Sequence, residues 1–325
     1  LTFEEAFTVT ITDANDAPSS LSLSASSVAE NSSGTDVGTL SSTDEDTDDT
    51  FTYALSGTDK DFFELSGTTL KLKEASTADF ETKSSYDVTI TTTDAGGLSK
   101  AQDLTVNVTD VNDNPTAVAL SSSSFDENTS GSDVGTLSST DEDTDDTFTY
   151  ALSGTDKDFF ELSGTTLKLK EASTADFETK SSYDVTITTT DAGGLSKAQD
   201  LTVNVTDVNE SPTDLGLSAT AVAENTAGVE IGTISTTDPD ADDTFTYTLS
   251  GDDADSFEVS GSSLKFKDSV SPNFENKSSY AITLTATDSG ELTFEEAFTV
   301  TITDANDAPS AIEVSNLQTD ENSIG

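Results

Sequence analysis

Tyr86-Asp87-Val88-Thr89-Ile90-Thr91 alternates apolar and polar side chains without a break. A period of two sends successive side chains to opposite faces, so the stretch reads as a strand with one buried and one wet face. The same alternation recurs nearby. Phe51, Tyr53 and Leu55 alternate with Thr52 and Ala54, Leu70 and Leu72 with Lys71 and Lys73, and Leu104, Val106 and Val108 with Asp103, Thr105 and Asn107. Shorter apolar stretches at Leu21/Leu23, Val37–Leu40 and Phe62–Leu65 complete a set of seven. Ser66-Gly67-Thr68 and Ala95-Gly96-Gly97 are turn chemistry between strands. No segment carries a 3.6-residue period.

The hexapeptide Asp-x-Asn-Asp/Glu-x-Pro follows the seventh stretch and recurs at Asp13–Pro18, Asp110–Pro115, Asp207–Pro212 and Asp304–Pro309, a constant step of 97. A period near 100 marks an array of equal units. Seven short strands in about 97 residues fit an all-β, immunoglobulin-like Greek-key sandwich. The Cys…Trp…Cys pattern is absent, so packing alone must hold the core. The expected organisation is three sandwiches, 19–115, 116–212 and 213–309. Residues 1–18 read as the last strand and linker of a preceding repeat, and 310–325 as the first strand of a following one. Residues 36–112 and 133–209 are identical, and Leu1–Ser19 returns as Leu292–Ser310.

Composition removes several functions. With 63 acidic residues against 13 basic ones and a net charge of −50, nucleic acid and anionic membranes are poor partners. Such a charge also raises disorder as a reading, but the alternating Val, Ile, Leu, Phe and Tyr argue for folded strands. The chain has no Cys and no His, which removes disulfides, thiolate sites, the usual zinc ligands and Ser-His-Asp catalysis. It has no Met, and no apolar run of about 18 residues. It therefore reads as an internal window of a longer protein, with targeting signals elsewhere and no membrane insertion.

Strand direction places the acids. If each strand runs antiparallel to the one before, the loops after strands one and five and the end of strand seven share one end of the sandwich. The loops after strands two and six share the other. Glu30, Asp79, Glu81, Asp110 and Asp113 fall at the first end, and Asp44, Asp46 and Asp94 at the second. In the next unit Asp141, Asp143 and Asp191 fall at its second end and meet the first unit's set. Eight carboxylates about 8 Å apart repel by roughly 1 kcal/mol per pair, on the order of tens of kcal/mol in all. No basic cluster balances them. Calcium, which accepts six to eight oxygen ligands in flexible geometry, is the obvious remedy, and magnesium suits such a crowd less well. Asp79 and Glu81 flank Phe80, so period two turns both acids one way while the ring enters the core.

These residues resemble the motifs of cadherin repeats, and the similarity covers essentially the whole chain. Glu30-Asn31, Asp79-Phe80-Glu81, Asp110-Val111-Asn112-Asp113-Asn114-Pro115, Asp141-Glu142-Asp143 and Asp191-Ala192-Gly193 stand in the family's order. The resemblance implies about three calcium ions per complete junction. Glu30, Asp79, Glu81, Asp110, Asp113, the Val111 carbonyl and Asp143 would hold an upper pair. Asn112, the Asn114 carbonyl, Asp141, Asp143 and Asp191 would hold the third.

The second junction matches through Glu127, Asp176, Glu178, Asp207, Val208, Asn209, Asp238, Asp240 and Asp288. It departs at Ser211, where only a carbonyl is needed, and at Glu210, one methylene longer than the family's bridging Asp. That puts the place and strength of a shared ion in question. Further on, Asn273 replaces the Asp of Asp-x-Glu beside Glu224, Glu275, Asp304, Asn306 and Asp307. At the start, Asp13, Asn15, Asp16, Asp44, Asp46 and Asp94 form a junction without its upper partner.

The remaining signals read plainly. Phe and Tyr are expected in the core rather than on a sugar-stacking platform. Asn-x-Ser/Thr triplets at Asn31, Asn107, Asn128, Asn204 and Asn276 are expected by chance in so Ser/Thr-rich a chain and assign no glycans. Paired carboxylates could serve a glycosidase, but here they belong to joints, and no catalytic function is expected. The expected function is a calcium-stiffened stalk or spacer in a large extracellular, bacterial adhesin or surface filament. The alternatives are repeats that themselves bind a polysaccharide, a partner cell or an identical chain, and accessory domains of a secreted hydrolase.

Overall fold

The computed structural model describes residues 1–309 together with 311, 313 and 315, and shows an all-β chain with three short 3-10 turns among the described residues. One order of elements occurs three times. The first set is β1 (Ser20–Leu23), β2 (Ser27–Ala29), β3 (Asp36–Thr43), β4 (Thr52–Ser56), a 3-10 turn at Lys60–Phe62, β5 (Phe63–Ser66), β6 (Thr69–Leu72), β7 (Ser85–Thr93) and β8 (Ser99–Thr109). The second is β9 (Ala117–Leu120), β10 (Ser124–Asp126), β11 (Asp133–Thr140), β12 (Thr149–Ser153), a turn at Lys157–Phe159, β13 (Phe160–Ser163), β14 (Thr166–Leu169), β15 (Ser182–Thr190) and β16 (Ser196–Thr206). The third is β17 (Asp214–Leu217), β18 (Ala221–Ala223), β19 (Glu230–Thr237), β20 (Thr246–Ser250), a turn at Ala254–Ser256, β21 (Phe257–Ser260), β22 (Ser263–Phe266), β23 (Ser279–Thr287) and β24 (Thr293–Thr303).

In the first set two four-stranded sheets form, with orders β1-β3-β6-β5 and β2-β8-β7-β4. All pairings are antiparallel except β2 with β8. That parallel pair follows from the alternating directions inferred from sequence, because the first and seventh strands run the same way. The first strand was expected in one piece and is found in two. β1 pairs with β3, the chain breaks at Ser24–Ser26, and β2 joins the other sheet. Gly38 permits the break. It sits at a register shift in β3, and a β-carbon there would come within 2.6 Å of the Ala25 carbonyl. The third set repeats both sheet orders, with β18 parallel to β24.

The chain divides into two compact units. One holds Leu1–Ser123, Asp133–Lys168 and Asp184–Thr202; the other holds Ser124–Ser132, Leu169–Tyr183 and the described residues from Val203 onward. The first unit contains the core built on Phe63, Leu70, Leu72, Tyr86, Val88, Ile90 and Val106, each nearly or fully buried. Burying a Phe or Leu of this kind stabilises by about 1.5–3 kcal/mol. Phe63 meets Tyr86 edge-on, ring centroids 5.4 Å apart. In the same unit β11 pairs with β9 and β14, β12 pairs with β15, and Val118, Leu137 and Ile187 are buried together. The second unit contains β10 parallel to β16 and the core of Phe257, Leu264, Phe266, Ile282, Leu284 and Val300.

Two expectations from sequence are corrected. Phe62 and Phe159 lie on 3-10 turns rather than in strands and are exposed, although Phe62 still touches Tyr86. Leu1–Pro18 forms no strand, and Phe3, Phe7, Val9 and Ile11 are exposed. The same eleven residues, Thr293–Thr303, form β24, where β23 supplies a ladder of nine residue pairs. Among the described residues no strand pairs with Thr2–Thr12. The expected strand within 310–325 falls almost wholly outside the described residues. Among the described residues no helix is long and apolar enough to cross a membrane.

Candidate metal centres

The end of β2 delivers Glu30, and the fold buries it to 4% exposure. Its Oε2 accepts the Phe80 N–H at 2.9 Å and its Oε1 the Val111 N–H at 2.6 Å. One side chain thus ties the loop after β6 to the linker after β8. In that loop Phe80 packs against the core while Asp79 accepts the Thr82 N–H at 2.7 Å. An ion pair to a buried aspartate fixes the loop from behind. Lys83 Nζ lies 2.7 Å from Asp59 Oδ1, over the Tyr86 ring, and the Lys83 N–H bonds the Asp79 carbonyl. The hydrogen bond from Lys83 holds the Asp59 carboxyl below the usual range, with burial opposing it. Asp253, Lys277 and Tyr280 repeat the arrangement.

Glu30, Glu81 and Asp110 each bring a carboxylate oxygen within 4.8 Å of the other two. Partial desolvation, then the neighbouring Glu30 and Asp110, raise the Glu81 carboxyl to about 7. Asp110 is raised for the same reasons, with Asp143 its strongest charged neighbour. The linker then engages the following loops. The Asp113 N–H donates to Asp143 Oδ2 at 2.7 Å, and Asn31 Nδ2 donates to Asp113 Oδ1 at 2.8 Å. Asn112 Nδ2 donates to Asp191 Oδ2 at 3.1 Å. Asp141, Asp146 and Asp191 form a second convergent group. Burial opposes ionisation of Asp191, but donors on Asn112, Leu195, Gly194 and Gly193 outweigh it and lower its pKa. Burial raises Asp141. Val111 is 46% exposed and Asn114 is exposed. This whole junction lies inside the first compact unit.

The second junction lies inside the second unit. Buried Glu127 accepts the Phe177 and Val208 N–H groups, and groups with Asp176 and Glu178. Glu210 keeps contacts on both sides of the linker despite its extra methylene. Asn128 Nδ2 donates to its Oε1 at 2.7 Å, its N–H donates to Asp240 Oδ2 at 2.8 Å, and its carboxylate groups with Glu178 and Asp240. These bonds match those of Asp113 in the first junction. Asn209 donates to Asp288, and Ser211 is exposed. A cavity of about 770 Å³ opens beside Glu178, Asp207, Asn209, Asp240 and Asp243. Burial, then neighbouring acids, raise Glu178 and Asp207, and burial raises Asp238.

The partial junctions keep their halves. Asn15 donates to Asp94 at 3.2 Å and the Asp16 N–H to Asp46 at 2.8 Å, while Asp13 is exposed. Asp44, Asp46 and Asp49 converge. Glu224 accepts the Phe274 and Ala305 N–H groups, which hold its pKa low. Asn225 donates to Asp307, and Asn306 to the Asp307 carbonyl. Asn273 accepts the Asn276 N–H at 2.8 Å, as Asp79 accepts that of Thr82. The substitution keeps the turn and removes the charge. Glu275 and Asp304 flank this set in the chain.

Among the described residues six carboxylate oxygens are left over. Oδ2 of Asp44, Asp49, Asp141, Asp146, Asp238 and Asp243 is buried without a hydrogen-bond partner. Leaving such an acceptor bare costs about 1–3 kcal/mol, more when it is charged. A family model described as the cadherin domain matches residues 24–109 and 121–206, more than half of the chain. The chain belongs to the cadherin family. These cadherin repeats are 28% identical over 299 residues to mouse protocadherin Fat 4, covering 86% of this chain and 6% of that protein. Human protocadherin Fat 4 is 27% identical over the same length. The chain therefore spans only a small part of the curated relatives it matches. Among solved structures, protocadherin gammaB7 domains EC3-6, titled a cis-dimer, is 27% identical with a TM-score of 0.61, covering 89% of this chain and 74% of that one. Extracellular cadherin domains 3-6 of protocadherin gamma B2 are 25% identical with a TM-score of 0.62, at the same coverages.

Proposed function

We propose that this segment is a calcium-stiffened spacer within a large extracellular adhesive protein. The observation that carries it is the set of convergent carboxylates at each linker, with buried oxygens that no protein donor satisfies. Glu30, Asp79, Glu81, Asp110, Asp113 and Asp143, with the Val111 carbonyl, would hold the upper ions of the first junction. Asn112, Asp141, Asp143 and Asp191, with the Asn114 carbonyl, would hold the lower one. The second junction would use the corresponding residues, with Glu210 in place of Asp113. The complement is about three ions per complete junction. A hard cation there neutralises the acids and fixes linker against loops. Millimolar calcium outside cells suits multi-carboxylate sites of moderate affinity.

A spacer role is supported by the identity of residues 36–112 with 133–209, since length needs no individual epitopes. A bacterial surface as the setting is part of this proposal. A second reading, contact with an identical chain, draws on the relative whose structure is titled a cis-dimer. Sedimentation equilibrium in calcium would separate the two: a monomer supports the spacer alone. The primary test is calorimetric titration of the chelated protein with calcium, with melting curves before and after. Several ions bound and a rise in melting temperature are expected. No heat of binding and an unchanged melting temperature would overturn the proposal.

A further inference from the structure

Asp49, Asp146 and Asp243 each lie three residues beyond an Asp-x-Asp pair, and the repeat motifs assign them nothing. Their geometry is the same in outline three times. One oxygen of each is held by the protein. Asp49 Oδ1 accepts the Thr50 N–H at 3.1 Å and the Ala95 N–H at 3.3 Å. Asp146 Oδ1 accepts the Thr147 N–H at 2.9 Å and the Ala192 N–H at 3.2 Å. Asp243 Oδ1 accepts the Ser289 hydroxyl. The other oxygen, Oδ2, is buried and takes no hydrogen bond in any of the three. The first acid of each pair, Asp44, Asp141 or Asp238, buries a bare Oδ2 as well.

The held oxygen fixes each carboxylate against the loop after β7, β15 or β23, which also carries the buried acid Asp94, Asp191 or Asp288. Asp49 converges with Asp44 and Asp46, and Asp146 with Asp141 and Asp191, to within 4.8 Å. Among the described residues, no lysine or backbone donor reaches the bare oxygens. Carboxylates that converge while an oxygen of each lacks a donor are suited to a shared hard cation. A solvated acidic loop would instead leave them to water.

We propose that Asp49, Asp146 and Asp243 are side-chain ligands of the lower calcium ion at each linker, a carboxylate that the repeat motifs leave unassigned. This rests on the calcium reading of the linkers. It makes each lower site rich in ligands from a single repeat. The site at Asp44, Asp46 and Asp49 therefore draws three carboxylates from one repeat.

The test compares two triple variants of the whole chain. Asp49→Asn, Asp146→Asn and Asp243→Asn together remove the proposed ligands and keep their shape. Asp48→Asn, Asp145→Asn and Asp242→Asn remove the same charge from exposed neighbours. Calcium titration by calorimetry is read alongside melting in chelator. The control should bind as the parent does, within about twofold, while the ligand variant loses three ions or weakens them at least about tenfold. Its melting temperature in chelator should not fall, because like charges have been removed. Binding equal to the control, or a drop in the chelated melting temperature that accounts for the loss, would overturn the assignment. Asp146→Asn alone gives the same comparison at one site if the triple variant folds poorly. A parent that takes up no calcium would instead refute the calcium reading itself.

Discussion

Asn112 sits so close to Gly193 that a β-carbon on the glycine would come within 1.8 Å of Asn112 Oδ1. A linker side chain lies directly on the loop after β15, and only glycine leaves it room. Gly96 with Asn15 and Gly290 with Asn209 repeat the contact.

Gly193→Ala should therefore act on the junction and not on the fold. The obstacle is the end of a flexible side chain, so Asn112 can swing away, but its 3.1 Å bond to Asp191 is then lost. The expected outcome is a melting temperature in chelator close to the parent's, with calcium affinity at the first junction lowered. Calorimetric titration beside a melting curve checks both. An unchanged titration would show that Asn112 does not organise the site.

Glu30→Gln should affect both stability and binding. Glu30 accepts two main-chain N–H groups with two different oxygens. Glutamine has one acceptor oxygen, so one buried N–H would face an amide N–H₂. The expected cost is about 1–3 kcal/mol in denaturant unfolding of the chelated protein. Calcium affinity should fall as well. A variant as stable as the parent would mean that the linker is not held through Glu30.

The raised carboxyls predict an inverted pH profile without calcium. Glu81 titrates near 7 in the folded chain against an ordinary 4.5, so the folded state holds a proton that the unfolded chain releases. Stability is unaffected below about pH 4.5, falls as pH rises through 7, and stays low above. Asp110, Asp141, Glu178, Asp207 and Asp238 shift in the same direction. Melting temperatures in chelator should drop between pH 5 and pH 8, taken as roughly the ends of this window. Calcium displaces those protons, so its stabilising effect should grow over the same range. A chelated melting temperature that rises from about pH 5 to 8 would contradict this.

Glu210 makes the second junction a test of geometry. Its hydrogen bonds to Asn128 and Asp240 match those of Asp113 to Asn31 and Asp143. Glu210→Asp should change calcium affinity by less than about threefold, while Glu210→Gln, which removes the charge, should weaken it by about tenfold. Equal effects from the two variants would mean that the charge of Glu210 does not matter.

Most of the strand pattern was legible because period two is local, as in Tyr86–Thr91. What was not legible depended on neighbours. Thr2–Thr12 and Thr293–Thr303 are the same eleven residues, yet only the second is a strand, because β23 lies beside it. The division of the first strand depends on Ala25 approaching Gly38, a contact that alternation cannot reveal. In the site, the sequence motifs named the acids that strand direction brings together. They missed Asp49, Asp146 and Asp243, which look like excess charge in acidic loops. The signal was present as an acid at the same place in all three repeats. Its meaning appeared only once the fold buried one oxygen of each. The charge missing at Asn273 was legible, but not that asparagine would keep the turn.

The central claim is that calcium at the linkers limits how the repeats move relative to one another. Small-angle X-ray scattering of the whole chain, first in millimolar calcium and then in excess chelator, tests it most directly. The predicted result is a narrow distribution of shapes in calcium that broadens on chelation and recovers when calcium returns. Identical scattering profiles in the two conditions would contradict it.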